Sequence, residues 1–165
     1  MLIALISDTH APRFAARLPN FYERLAAARP DAIVHCGDFT TLDIVAPFER
    51  IAPFDAVAGN NDEPDIVRRF GRRKIVQFAG ARIGLVHGDG ERGTTLERAR
   101  AAFAPGTVDA IFFGHSHVPY CANERGVWLV NPGSPTDKRR QAQFSFALVD
   151  VADGRVAPQL VRFGP

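Results

Sequence analysis

The apolar residues of this chain fall into short unbroken runs, most of which stop at a polar side chain or a glycine. Residues 2–6 (L-I-A-L-I), 31–36 (D-A-I-V-H-C) and 109–113 (D-A-I-F-F) are too short for helices and show no alternation. That is the pattern of strands covered on both faces. Ala56-Val57-Ala58 predicts one more strand of this kind. A helical spacing intervenes after the first run. Pro19 suits a first turn, and Phe21, Tyr22, Leu25 and Ala28 then share one face up to Arg29, where Pro30 stops the run. Residues 40–51 predict a second helix, which Pro47 must kink or split. Residues 94–103 predict a third, with Thr94 as N-cap and Glu97 three positions on. The stretches 72–78 and 82–87 flank Ala79-Gly80-Ala81 as a hairpin would. Residues 120–122, 127–130, 144–151 and 155–163 complete the pattern as strands, the last two joined through Ala152-Asp153-Gly154.

Strands and helices therefore alternate in the first half, and β-structure dominates the second. The expected fold is an α/β protein with two stacked sheets and helices outside them. With 165 residues and no linker, repeat or low-complexity tract, residues 1–165 read as a single domain able to bury its own core. A formal net charge of +2 gives no reason to expect a nucleic-acid or membrane partner. No apolar run approaches the roughly 20 residues needed to span a bilayer, and the start meets Asp8 too early for a signal peptide. Cys36 and Cys121 form neither a zinc-type pair nor a disulfide framework, so a reducing cytoplasm is the expected location. All basic residues except Lys74 and Lys138 are arginine, which hints at a high-GC bacterial genome.

The informative residues stand directly after the strands. The first strand leads into Ser7-Asp8-Thr9-His10, the second into Gly37-Asp38, and the third into Gly59-Asn60-Asn61-Asp62. The run 82–86 leads into His87-Gly88, and 109–113 into Gly114-His115-Ser116-His117. Ligands of open α/β sheets bind at the carboxyl ends of strands. An aspartate after a strand is commonly just a helix cap, which explains any one of Asp8, Asp38 or Asp62 but not the set. His35, inside a strand, reads as a packed core residue. Asp-x-His and His-x-His place alternate side chains on one side of an extended segment. Carboxylates, an amide carbonyl and imidazoles without thiolate suit manganese, iron, cobalt, nickel or zinc. Asp8, His10, Asp38, Asn60, His87, His115 and His117 are too many ligands for one ion with open positions, and the right number for two sharing a carboxylate.

Asp-x-His, Gly-Asp, Gly-Asn-x-Asp, His-Gly and Gly-His-x-His, in this order, closely resemble the calcineurin-like metallophosphoesterase family across residues 2–134. The short length, the Gly-Asn-Asn-Asp form and Asn131-Pro132-Gly133-Ser134 are similar to its small single-domain phosphodiesterase branch. The resemblance implies a four-layer α/β/β/α sandwich of two mixed sheets flanked by helices, with no cap domain. It implies two divalent metal ions, manganese foremost. Asp8, His10, Asp38 and His117 would hold the first, and Asp38, Asn60, His87 and His115 the second, with Asp38 bridging. The implied nucleophile is a metal-bridging hydroxide attacking a phosphate ester.

One position departs from the family pattern. Many members carry histidine after the Gly-Asn, where it serves the leaving group; here it is Asn61, which donates a hydrogen bond but no proton at neutral pH. That favours activated phosphodiesters over monoesters or nucleotides. Asp62 has two readings, orienting Asn61 in catalysis or capping the segment 62–69. The basic clusters 68–74 and 138–140 read first as solvated faces, yet Arg139 or Arg140 could contact a substrate phosphate bidentately. Neither cluster carries the interleaved aromatics of a nucleic-acid platform. Trp128 and exposed phenylalanines leave a homo-oligomer open. A non-catalytic protein-binding scaffold of the same fold is the competing class.

Overall fold

The computed structural model describes residues 1–164. Among these the chain runs β1 (Leu2–Ile6), α1 (Ala11–Phe14), α2 (Leu18–Ala28), β2 (Ala32–His35), α3 (Val45–Glu49), β3 (Phe54–Ala56) and α4 (Pro64–Phe70). It continues through β4 (Arg73–Phe78), β5 (Ala81–Val86), α5 (Thr95–Ala101), β6 (Ala110–Phe112), β7 (Tyr120–Glu124), β8 (Val127–Asn131), β9 (Phe144–Ala152) and β10 (Arg155–Phe163). Two five-stranded sheets result, ordered β10-β9-β1-β2-β3 and β4-β5-β6-β8-β7. Both are mixed. β1, β2 and β3 run parallel, as do β5, β6 and β8, and β9–β10, β4 and β7 add the antiparallel pairings.

The pleat of β1 shows how the layers are made. Ile3 and Leu5 point between the sheets, where they meet Ile83, Leu85, Phe112 and Val130. Ala4 and Ile6 point the other way, into a cluster with Phe21 and Leu25 of α2, Phe48 of α3 and Ile66 of α4. On the far face of the second sheet, Ile111, Phe113 and Leu129 pack with Ala99 of α5. The order is therefore helix, sheet, sheet, helix. Each fully buried Ile, Leu or Phe side chain contributes roughly 1.5–3 kcal/mol. Trp128 packs against the core between the sheets. The exposed large hydrophobics among the described residues are Met1, Ile75 and Val118.

Local differences from the sequence pattern have physical causes. The third strand is Phe54–Ala56 rather than 56–58, because its partner β2 ends at His35, which registers with Ala56. Val57 donates one further bond to His35 O, and Ala58 then turns to Gly71 O. Residues 40–51 split as expected: Thr41 caps a 3₁₀ turn at 42–44, and Val45–Glu49 comes next. Pro47 lies in the first α-turn, where its missing N–H has no helical acceptor to lose. α1 was not legible in the sequence. The hairpin turn at Ala79-Gly80 has positive φ at both positions, 43° and 86°, which matches the twist of a two-residue connection. Thr94 and Glu97 close the capping box.

His35 has no exposed surface and lies against the rings of Phe39, Phe48 and Phe54. Gly37 N–H donates to its Nδ1 at 3.1 Å, so the ring proton sits on Nε2 and points to Thr9 Oγ1, also 3.1 Å away. Burial pushes its pKa from 6.5 down to about 3. A histidine kept neutral on folding stabilises the native state fully above its unfolded pKa, and that stability is lost as pH falls. In metal-free protein His35 should therefore contribute a loss of stability between pH 6.5 and 4. In His35→Gln that slope should be shallower by up to about 1.4 kcal/mol per pH unit, read from urea midpoints at each pH. Identical slopes would mean that His35 is not the buried neutral group.

Candidate metal centre

The loops after all six parallel strands meet at one edge of the sandwich. Two ligand groups form there: Asp8, His10 and His117, and Asp38, His87 and His115, with the ligand atoms of each group within 4.8 Å of one another. The groups adjoin. Asp38 Oδ2 lies 3.3 Å from His87 Nε2 and 3.9 Å from His10 Nε2, so one oxygen faces both. Asp8 Oδ1 lies 3.4 Å from His117 Nε2 and 3.9 Å from His87 Nε2. The Nε2 atoms of His10 and His117 are 3.3 Å apart. Asn60 Oδ1 stands 3.1 Å from His115 Nδ1, which adds the amide carbonyl to the second group.

Outer contacts aim these side chains. His87 Nδ1–H donates to Cys36 O at 2.6 Å, and His117 Nδ1–H to Asp137 O at 2.5 Å. Both bonds fix the tautomer that leaves the Nε2 lone pair facing inward, as a ligating imidazole requires. Asp8 Oδ2 accepts from Ser7 Oγ and from His115 N. Asp38 Oδ1 accepts from Asn61 N at 2.9 Å and Oδ2 from Asn61 Nδ2 at 2.7 Å. Among the described residues, Asp8 Oδ1 and His87 Nε2 alone are buried with no hydrogen-bond partner. Buried polar atoms are seldom left so, because each costs roughly 1–3 kcal/mol. Inward-facing orphans among carboxylates and imidazoles fit divalent cations, and the seven residues can hold them.

The charge balance agrees. Burial pushes the Asp8 carboxyl up to about 7, against the pull of His87 and Ser7. Burial also acts on Asp38, but the His87 imidazole 3.3 Å away and the hydrogen bonds of Asn61 hold it well below the usual carboxylate range. Burial disfavours the His87 cation, yet Asp38 and Asp8 lift its pKa to about 9. Burial drives His117 down to about 4 and lowers His10 and His115 as well. Without metal, then, a proton on His87 does part of the work of a cation.

Holding this arrangement strains the backbone. Asp8, His10, Asp38, His115 and His117 all have positive φ, between 43° and 67°. A non-glycine residue there costs roughly 1–2 kcal/mol, and such outliers cluster at functional sites. Two glycines make the close approach possible. A Cβ on Gly59 would lie 2.2 Å from Asp38 Oδ1, and one on Gly114 would lie 1.9 Å from Ser7 Oγ and 2.8 Å from Asp8 Oδ2.

The other sequence candidates take distinct places. Asn61 lines a cleft beside His10 and clamps Asp38. Asp62 is not the cap of α4, whose N-cap is Glu63. Its carboxylate accepts from Asp38 N, Gly59 N and Thr40 N, tying the loops after β2 and β3 together. Arg139 lines the same cleft, whereas Arg140 does not. In the first basic cluster Arg68 pairs with Asp65, Arg69 with Glu49 and Lys74 with Asp55, and Arg72 binds Gly59 O. Three supports escaped sequence reasoning. Ser134 Oγ donates to Asp8 O, Thr136 Oγ1 to Thr9 O, and Arg98 braces the loop after His87 through Gly88 O and Gly93 O. Only Ser134 had a local signal, its place in Asn131-Pro132-Gly133-Ser134.

Fold and site together define a protein of the metallophosphoesterase class. The chain belongs to the calcineurin-like phosphoesterase superfamily, whose domain model matches residues 1–154. It is 36% identical over 146 residues to a probable metallophosphoesterase of Methanothermobacter thermautotrophicus, covering 84% of this chain and 80% of the relative. It is 27% identical over 151 residues to a phosphodiesterase of Methanocaldococcus jannaschii, covering 81% and 83%. The crystal structure of Vps29 from Chaetomium thermophilum superposes with a TM-score of 0.79 at 22% identity, over 99% of this chain and 98% of that one. At that identity the likeness speaks for the fold alone. Membership supports metal-dependent phosphoester hydrolysis.

A cation entering the site must displace the His87 proton and, below pH 7, that of Asp8. Manganese uptake should release about one proton at pH 8 and more at pH 6.5, and affinity should rise with pH. Calorimetry in buffers of different ionisation enthalpy reads both quantities. An affinity constant from pH 6.5 to 8.5 would refute the protonated apo cluster.

Proposed function

We propose that this chain is a dimetal phosphodiesterase, one domain over residues 1–165 without a cap domain, acting in the cytoplasm. The observation that carries the reading is Asp38 Oδ2 facing both ligand groups beside the orphaned Asp8 Oδ1 and His87 Nε2. Manganese is the first choice of metal, with nickel, cobalt, iron or zinc compatible with the same ligands. When bound, a pair of such ions activates water and neutralises the transferring phosphoryl oxygens.

The chain's own residues do the rest. Asp8, His10, Asp38 and His117 form one ligand set, and Asp38, Asn60, His87 and His115 the other. Asn61 keeps both Asp38 oxygens aimed, and its amide has no proton to give a leaving group. Asp62 acts as a positioning residue, holding the peptide N–H groups that shape the Asp38 and Asn60 loops. Arg139, at the cleft mouth, offers a guanidinium to a substrate phosphate. Arg140 is the weaker candidate, since it lies outside the cleft lining. The absent acid at position 61 favours diesters with good leaving groups over monoesters and nucleotides. The reading of the cytoplasm rests on two free cysteines, Cys36 and Cys121; no helix is long and apolar enough to cross a membrane among the described residues. The likeness to Vps29 supports a second reading, a scaffold that binds another protein.

Chelator-stripped protein reloaded with manganese, nickel, cobalt or zinc should hydrolyse bis-p-nitrophenyl phosphate faster than p-nitrophenyl phosphate. Asp38→Ala should lower kcat by more than about 100-fold, the upper range for losing even an outer partner of a metal ligand, and should lower metal content. Wild-type turnover in Asp38→Ala would end the two-metal assignment, and no turnover with any metal in protein that binds two ions would favour the scaffold. Asn61→His should flatten the dependence of kcat/KM on leaving-group pKa across aryl and alkyl esters, because general acid catalysis is worth roughly 10²–10⁴-fold. An unchanged slope would show that position 61 does not face the leaving group.

A further inference from the structure

Beside the ligand groups lies an open cleft of about 450 Å³. His10 and Asn61, both in contact with Asp38, form its inner end. Its walls are Pro12 and Arg13 of α1, Thr40, and Asp137 with Arg139 from the loop after β8. The cleft is polar, and no Phe, Tyr or Trp lines it. A nucleobase would find no ring to stack on there. Thr40 Oγ1 spends its proton on Phe39 O at 2.8 Å, which leaves its lone pairs to accept from a ligand hydroxyl.

The two arginines are unlike. Arg139 Nε lies 3.9 Å from Asp137 Oδ2, and its charge reaches His10 and His117, so it stands over the first ligand group. Arg13 has no carboxylate within 4.0 Å among the described residues and leans over the Phe14 ring, 5.3 Å from its centroid. Among the basic residues of α4 and β4, Arg68 pairs with Asp65, Arg69 with Glu49 and Lys74 with Asp55, while Arg73 donates to Ala102 O. A free guanidinium in a polar cleft is suited to bidentate capture of a planar or tetrahedral anion.

We propose that this cleft seats one esterified arm of the phosphodiester substrate, and that the arm is small, non-aromatic and carries a second anionic group, a carboxylate or a phosphate, held by Arg13. The assignment rests on the phosphodiesterase reading and narrows it to a substrate class: diesters linking an alcohol to a compact acidic partner rather than to a nucleoside. Arg139 then faces the reacting phosphate and Arg13 the distal anion, which separates two positive charges along one bound molecule.

The test uses paired p-nitrophenyl phosphodiesters in metal-loaded enzyme, with the ion that best supports bis-p-nitrophenyl phosphate turnover. Carboxymethyl p-nitrophenyl phosphate is compared with its methyl ester, and 2-phosphoethyl p-nitrophenyl phosphate with its 2-hydroxyethyl counterpart. The charged member of at least one pair should be preferred about tenfold in kcat/KM. That ratio should fall towards one in Arg13→Gln and recover in part in Arg13→Lys. Arg13 is exposed, so neither variant threatens folding. A preference confined to one pair identifies the anion as carboxylate or phosphate. Equal turnover within both pairs overturns the cleft assignment while leaving the phosphodiesterase reading intact, and a preference that survives Arg13→Gln removes Arg13 from it. Hydrolysis of no diester with any metal overturns both readings.

Discussion

Two carboxylates buried side by side at the seam of two sheets are the constraint on which the rest of this structure depends. Asp8 is fully buried and Asp38 nearly so. Removing such ions from water costs several kcal/mol each unless donors and opposite charge replace the solvent. The chain supplies those donors from remote segments: His115 N for Asp8, and Asn61 N and Nδ2 for Asp38. His87, between them, has its pKa lifted to about 9 by the two carboxylates against the pull of burial. One oxygen and one nitrogen still lack a partner. Both face inward among carboxylates and imidazoles, the donor chemistry that suits a divalent cation.

Meeting that constraint shapes the backbone and its neighbours. Six parallel strands deliver their loops to one edge, and the loops approach so closely that Gly59 and Gly114 leave no room for a Cβ. Five ligand residues accept left-handed backbone to aim inward. The support comes from the core: Ile3 and Leu5 anchor β1 between the sheets while Ala4 and Ile6 anchor it to the helices. Asp62, Ser134 and Thr136 then fasten one loop to another. Packed strands hold the strained ligand backbones in place.

The same fold serves proteins described in different terms, from probable metallophosphoesterases to Vps29. Fold alone therefore says little about activity, which is decided by the side chains the fold carries. Here every ligand position of the family pattern holds a competent residue, and the outer hydrogen bonds leave the imidazole Nε2 atoms of His87 and His117 facing inward. Asn61 is the one departure, and the structure gives it work of its own in clamping Asp38.

The chain by itself determined the buried strands, the capping box at Thr94, the 79–80 hairpin and the polar residues that the fold gathers into the candidate metal centre. Those features are local: apolar runs, turn chemistry, and polar residues placed directly after strands. It misplaced β3 by two residues, because strand ends are set by the partner, here His35 of β2, and not by the apolar run 56–58. It left Asp62 between two roles that only the folded chain separates, since its donors at Asp38 and Thr40 lie more than 20 residues away. It gave no sign that Ser134 reaches Asp8 O across 126 residues, or that Arg13 shares a cleft with Arg139. The candidate ligands are legible in side-chain type and spacing, whereas their orientation, tautomers and outer supports depend on contacts that exist only once the two sheets have packed.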